Sequence, residues 1–142
     1  MNNLLNPLLD RLSQPLDTTG RVLLGLYFCL PGIMKVVGFT GTLAYMQQHG
    51  VPWPLPLLLI TIVLEVGGGL ALIVGYQTRI VSFLLAGLTL LICIYMHDFW
   101  RHYEGGSQPH ELQNFIKNLG IFAGLLLLIG RRVQPVSRTV RA

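Results

Sequence analysis

The chain has 142 residues, of which 52% are hydrophobic and only 11% charged, with a net charge of +4. Soluble domains carry about 25% charged residues, so this composition, with a mean hydropathy of +0.59, excludes a soluble globular fold and points to an integral membrane protein. The basic residues sit at segment ends rather than in a patch, which excludes nucleic acid as a partner, and the length suits one small bundle in a lipid bilayer.

In residues 1–20, Asn6-Pro7 reads as a helix start. Leu4, Leu5, Leu8, Leu9 and Leu12 fall on one face, with Asp10, Arg11 and Gln14 opposite. This predicts a short amphipathic helix, too polar to span, lying in the interface and ended by Pro15. The first apolar run starts too far in for a cleavable signal peptide, and no lipidation motif is present.

The first spanning segment is read at 21–39, from Arg21 to Phe39, with Gly25, Gly32 and Gly38 as close-packing positions. Pro31 is expected to kink it and free a carbonyl near Tyr27. Lys35 has two readings, a side chain snorkelling to the interface or an inward partner for a buried acid. A short surface helix is expected between Gly41 and Gly50. Pro52, Pro54 and Pro56 then imply an extended entry, anchored by Trp53.

The second span is read at 55–75. It carries one charge, Glu65, near its middle, and a carboxylate at that depth costs roughly 2.5–3.5 kcal/mol on insertion scales. Gly67, Gly68 and Gly69 follow, as sites where another backbone can approach. The short turn from Gly75 to Arg79 makes spans two and three antiparallel neighbours. In the third span, 80–97, Ser82, Ala86, Thr89 and Cys93 form a small helical stripe leading to His97, read as a packing face. Asp98 follows, and Phe99 and Trp100 read as interface belt. Residues 101–114 read as a polar loop, with a turn at Gly105-Gly106, a break at Pro109 and solvated His102 and His110. The fourth span, 112–130, has Lys117 and Asn118 near its beginning.

Four spans place both termini on one side. That side holds Arg11, Arg21, Arg79, Arg131, Arg132, Arg138 and Arg141, against Lys35, Arg101 and Lys117 opposite. Seven basic residues against three put both termini in the cytoplasm. Lys35, Glu65, His97, Asp98, Lys117 and Asn118 then converge in the outer half of an all-α integral membrane four-helix bundle. Its charges balance, Glu65 and Asp98 against Lys35 and Lys117, with His97 able to titrate. Such a cluster reads either as a buried ion-pair network fixing helix register or as a small-molecule site, such as a quinone head-group site or a proton path.

Cys29 and Cys93 each stand alone, so there is no dithiol motif, and they read as core-filling thiols. His97 and Cys93 share a face, but two ligands alone do not make a metal site. Without a nucleotide fingerprint or a haem-ligating pair, independent catalysis is the least favoured reading.

The chain resembles the DoxX family of small bacterial inner-membrane proteins. The resemblance rests on GRVLLGLYFCLPGIMKVVGF (Gly20 to Phe39), GTLAYMQQHGVPWP (Gly41 to Pro54) and LEVGGGLALIVGYQTR (Leu64 to Arg79), with HDFW (His97 to Trp100) and FIKNLGIFAGLLLL (Phe115 to Leu128). The family's recurring polar positions appear as Lys35, Glu65, His97 and Lys117-Asn118. The resemblance implies a four-helix membrane protein; taken with the outer polar cluster, the first reading is an accessory membrane subunit of a respiratory or thiol-redox complex, with quinone as the candidate ligand, no intrinsic cofactor and a redox partner subunit. The other readings are a small proton-coupled transporter and a purely structural scaffold. The glycine-rich faces are compatible with a homodimer.

Overall fold

The computed structural model describes the backbone of residues 2–103 and 106–131, with side chains from residue 6 onward. Within them the regular secondary structure is helical: α1 (Asn2–Val37), α2 (Phe39–Gln48), α3 (Pro54–Val74), α4 (Thr78–Met96) and α5 (Gln108–Gly130). Four of these, at Asn6–Val37, Pro54–Val74, Thr78–Met96 and Gln108–Gly130, are long and apolar enough to cross a membrane. They run up, down, up and down. α1 packs chiefly on α3, α4 on α5, and α3 on α4, while α2 lies across the end where α1 gives way to α3. That end, with the segment joining α4 to α5, is the loop end of the bundle. The opposite end, where α3, α5 and the α3–α4 turn meet α1, is the terminal end.

The largest departure from expectation is in α1. Pro15 does not end a separate amphipathic helix. The helix runs unbroken through Pro7, Pro15 and Pro31. A proline in a helix removes one backbone bond, and around Pro15 the side chains are exposed, so water can satisfy the freed Arg11 carbonyl. Ser13 Oγ supplies the neighbouring Asp10 carbonyl at 2.7 Å. Beyond Pro15 the helix is held by Asp17 on Arg131 and by Arg21, whose guanidinium donates to the carbonyls of Leu72 and Ile73. The 36 residues of α1 make a rod of about 54 Å, far longer than the bilayer core of about 30 Å. α1 ends at Val37, so Phe39 belongs to α2.

The prolines expected to impose an extended entry to the second span also behave differently. Pro54 opens α3, where the missing N–H has no intrahelical partner to lose, and Trp53 takes a left-handed conformation just before it. Pro109 likewise lies in the first turn of α5, which begins at Gln108 rather than at Leu112. The α3–α4 turn is a Schellman closure, in which Tyr76 N–H reaches the Ala71 carbonyl (2.9 Å) and Gly75 N–H that of Leu72 (3.2 Å). Gly75 makes this possible with φ of 80°.

The stripe of Ser82, Ala86, Thr89 and Cys93 is buried, as a packing face should be. Ala86 joins Phe28, Leu72, Leu85, Leu88 and Leu125 in the main core, and Met46, Val51 and Leu58 form a smaller one under α2. The α1–α3 crossing is the tightest contact. A Cβ at Gly69 would stand 2.6 Å from both the Gly25 carbonyl oxygen and Cys29 Sγ, whereas one at Gly67 would meet nothing. The expected turn glycine Gly105, the side chains of Leu4 and Leu5, and the basic residues Arg132, Arg138 and Arg141 lie outside the described residues.

Overpacking a closed contact costs about 1–3 kcal/mol. Gly69→Ala is therefore expected to lower the midpoint of SDS-induced unfolding in mixed micelles by a corresponding amount, while Gly67→Ala leaves it in place. Equal midpoints for the two variants would contradict the crossing described.

Candidate functional site

Gly32 sets the site. A Cβ there would meet Glu65 Cβ at 2.9 Å and Val66 Cγ2 at 2.8 Å, so only glycine lets α1 close on α3 at this level. One turn further along α1, Lys35 stands over Glu65. Its Nζ donates to Oε1 at 2.9 Å and to Oε2 at 2.8 Å. Lys35 thus takes the inward role and is not directed to the interface. Glu65 is 3% exposed and Lys35 23% exposed, so the pair is withdrawn from solvent and each partner depends on the other.

The pair forms one wall of a cavity of about 260 Å³ inside the bundle. Tyr27, Phe28 and Pro31 of α1, Thr89 and Ile92 of α4, His97 just beyond α4, and Asn114, Lys117 and Asn118 of α5 supply the rest. Of the six residues singled out in the sequence, Lys35, Glu65, His97, Lys117 and Asn118 line this space. Asn118 is buried and accepts a hydrogen bond from Tyr27 Oη at 2.9 Å. Lys117 is exposed and makes no ion pair among the described residues.

Asp98 is not among the lining residues. It is 2% exposed and turns instead into the α4–α5 segment, where Oδ2 accepts from Tyr103 Oη at 2.6 Å and lies 3.6 Å from Arg101 Nε. Its Oδ1 is buried without a hydrogen-bond partner among the described residues. The expected balance of Asp98 against Lys35 and Lys117 is therefore replaced by local pairing, because the short step from Asp98 to Arg101 closes a turn through the Arg101 N–H to Asp98 carbonyl bond (2.8 Å).

The carboxylate that does face His97 is Glu111. His97 Nδ1–H donates to Glu111 Oε2 at 2.7 Å, and Glu111 Oε1 accepts from Tyr45 Oη at 3.3 Å. Sequence reading missed Glu111 by taking residues 101–114 as loop. Pro109 followed by an acidic residue is a helix-start signature, and it places Glu111 in the first turn of α5. His49 was missed as well. It is 3% exposed, its ring lies 4.1 Å from those of both Tyr45 and Tyr103, and its Nδ1–H donates to the Tyr45 carbonyl at 2.9 Å. Desolvation, and after it the Glu111 carboxylate, pushes the Tyr45 phenol from 10.0 up to about 12. Desolvation and the hydrogen bond to Asp98 also raise Tyr103. Among the described residues no group of three His, Cys, Asp or Glu is placed to hold a metal ion.

Comparison with known proteins decides the family. The DoxX family model matches residues 16–98, more than half of the chain. The chain belongs to the DoxX family. The match contains Lys35, Glu65, His97 and Asp98 and stops short of α5, which carries Glu111, Lys117 and Asn118. Two relatives from Escherichia coli strain K12 cover more of it. Inner membrane protein YqjF is 40% identical over 109 residues, 76% of this chain and 77% of its own. Inner membrane protein YphA is 32% identical over 108 residues, 76% of each chain. No solved structure matches. With four membrane-length helices, this DoxX protein is a multi-pass inner-membrane protein.

Removing one member of a buried pair costs about 3–5 kcal/mol, whereas replacing both by apolar residues is often neutral. Lys35→Met is expected to unfold at markedly lower SDS mole fraction than wild type, and Lys35→Met with Glu65→Leu to recover most of the loss. A double variant no better than the single would contradict the pairing. At the loop end, Tyr45 keeps its proton to about pH 12 while an unfolded tyrosine ionises near 10. Stability is therefore lost as pH rises across that interval. Tyrosinate absorbance should show late-titrating phenols, and the Tyr45 component should move back toward 10 in Glu111→Gln.

Proposed function

We propose that this DoxX protein is an accessory membrane subunit of a respiratory or thiol-redox complex and contacts a quinone or quinol in the cavity between Lys35, Glu65, His97 and Lys117. The observation that carries the reading is that two unlike spaces lie on either side of one residue. The polar cavity of about 260 Å³ and an apolar groove of about 710 Å³ along α3, α4 and α5 share Ile92 as a wall. Ligand pockets commonly measure about 300–1,000 Å³, so the polar space alone suits a single ring and the groove suits its hydrocarbon tail.

The chemistry of the lining supports the same class of ligand. The Lys35 and Lys117 ammonium groups and the Asn118 amide offer donors to a ring carbonyl. The Glu65 carboxylate and the His97 ring offer acceptors to a ring hydroxyl, so both the oxidised and the reduced head group find partners. Electrons would pass to the redox partner subunit, and the subunit described here would hold the head group and its protons. The excess of arginine at the terminal end supports an orientation with both termini cytoplasmic and the loop end outside.

The test is quinone extraction and native mass spectrometry of protein purified in mild detergent. Wild type is expected to carry quinone or a redox partner. His97→Phe and Lys117→Met, which leave the Lys35–Glu65 pair intact, are expected to lower quinone occupancy by at least about ten-fold, equivalent to 1.4 kcal/mol. Wild type without either quinone or a redox partner would overturn the reading and leave a scaffold or a transporter.

A further inference from the structure

A second polar space lies at the opposite, terminal end and takes no part in the function proposed above. It measures about 420 Å³ and is walled by Asp17 and Arg21 of α1, Gly75 and Thr78 at the α3–α4 turn, Arg79 of α4 and Arg131 after α5. Three arginines face it against one aspartate, an excess of two positive charges at the end of a membrane bundle. A structural duty accounts for only part of each guanidinium. Arg21 Nη1 caps α3 by donating to the carbonyls of Leu72 and Ile73, and Gly75 leaves the room it needs, since a Cβ there would touch Arg21 Nη1 at 2.7 Å. Arg79 caps α5 through Nε alone, donating to the Ile129 carbonyl at 3.0 Å. Arg21 Nη2 and both terminal nitrogens of Arg79 make no hydrogen bond among the described residues. The first turn of α4 opens beside them without a side-chain cap, so its N–H groups add to the positive end.

We propose that this cavity is a binding site for the phosphate head group of an anionic phospholipid in the leaflet at the terminal end. A forked guanidinium matches a phosphate better than any other common anion, through paired N–H donors. Depth selects a lipid over a free anion. The 21 residues of α3 span about 31 Å, against a hydrocarbon core of about 30 Å, so the cavity at its end lies at head-group level. Val74, which is 74% exposed, and Leu128 supply an apolar side to the same cavity, where the acyl chains of a bound lipid leave toward the bilayer. The surplus charge selects a net-anionic lipid over a zwitterionic one. Binding ties α1, α4 and the end of α5 to one head group and so braces the end of the bundle remote from the Lys35–Glu65 pair.

The test is native mass spectrometry, paired with thermal unfolding, of the full chain in detergent with added phosphatidylglycerol, phosphatidylcholine or inorganic phosphate. Phosphatidylglycerol is expected to be retained and to raise the unfolding temperature more than phosphatidylcholine, with no effect of inorganic phosphate at equal concentration. Arg79→Gln should weaken phosphatidylglycerol retention by at least about ten-fold. Arg131→Gln, whose side chain is half exposed, should weaken it as well, with lipid-free thermal unfolding of the variant separating loss of the Asp17 contact from loss of lipid, while Arg101→Gln at the loop end leaves retention unchanged. Equal retention of both lipids, or undiminished retention in the Arg79 and Arg131 variants, would overturn the site. Protection by inorganic phosphate alone would overturn its assignment to lipid. None of these outcomes depends on quinone in the other cavity.

Discussion

A carboxylate halfway along an apolar helix has to be paired, and the pairing of Glu65 with Lys35 constrains most of this bundle. The two charges sit on different helices, so their contact sets the register of α1 against α3. It requires the helix axes to approach closely enough for a lysine to reach across, and Gly32 meets that requirement one turn away by presenting no side chain to Glu65 Cβ. Further along the same crossing, Gly25 and Gly69 face each other's backbone for the same reason. Small residues and one ion pair thus act together. The glycines lower the distance, and the ion pair makes any other register costly.

Around this crossing the polar groups separate into units with different consequences. Lys35 and Glu65 neutralise one another at depth. His97 and Glu111 form a second pair nearer the loop end, tied through Tyr45 to α2. Asp98, Tyr103 and Arg101 form a third that belongs to the α4–α5 segment. Lys35, Glu65 and His97 line a common cavity, and the third unit takes no part in its lining. A partner on another element of the bundle holds each of Lys35, Glu65 and His97. At the terminal end, Arg21 and Arg79 cap two helices while keeping donors unspent, so the same residues that close the bundle also create its positive cavity.

Much of the architecture was legible in the chain because membrane segments are specified by composition over some twenty residues, which survives small local errors. The second and third spans, the tight turn between them and the buried small stripe of α4 all followed from hydropathy and helical spacing. What failed was local chemistry at boundaries. Pro15 and Pro109 were both read as breaks, yet Pro15 lies inside an exposed stretch of α1 and Pro109 in the first turn of α5, where a proline loses little. The second of these misreadings concealed Glu111, since an acidic residue in a presumed loop gives no reason to look for a partner.

The sequence by itself determined that this is an all-α membrane bundle with one charge deep enough to need a partner, because an unpaired carboxylate in hydrocarbon costs roughly 2.5–3.5 kcal/mol on insertion scales. It also narrowed the partner to the few ionisable residues near the same end. Only the tertiary structure decided among them. Which carboxylate meets which cation depends on helix rotation and on the path of the connecting segment, and neither is encoded in spacing along one helix. Rotation gave Glu65 to Lys35. The turn from Asp98 to Arg101 removed Asp98 from the cavity, and the early start of α5 put Glu111 against His97 in its place.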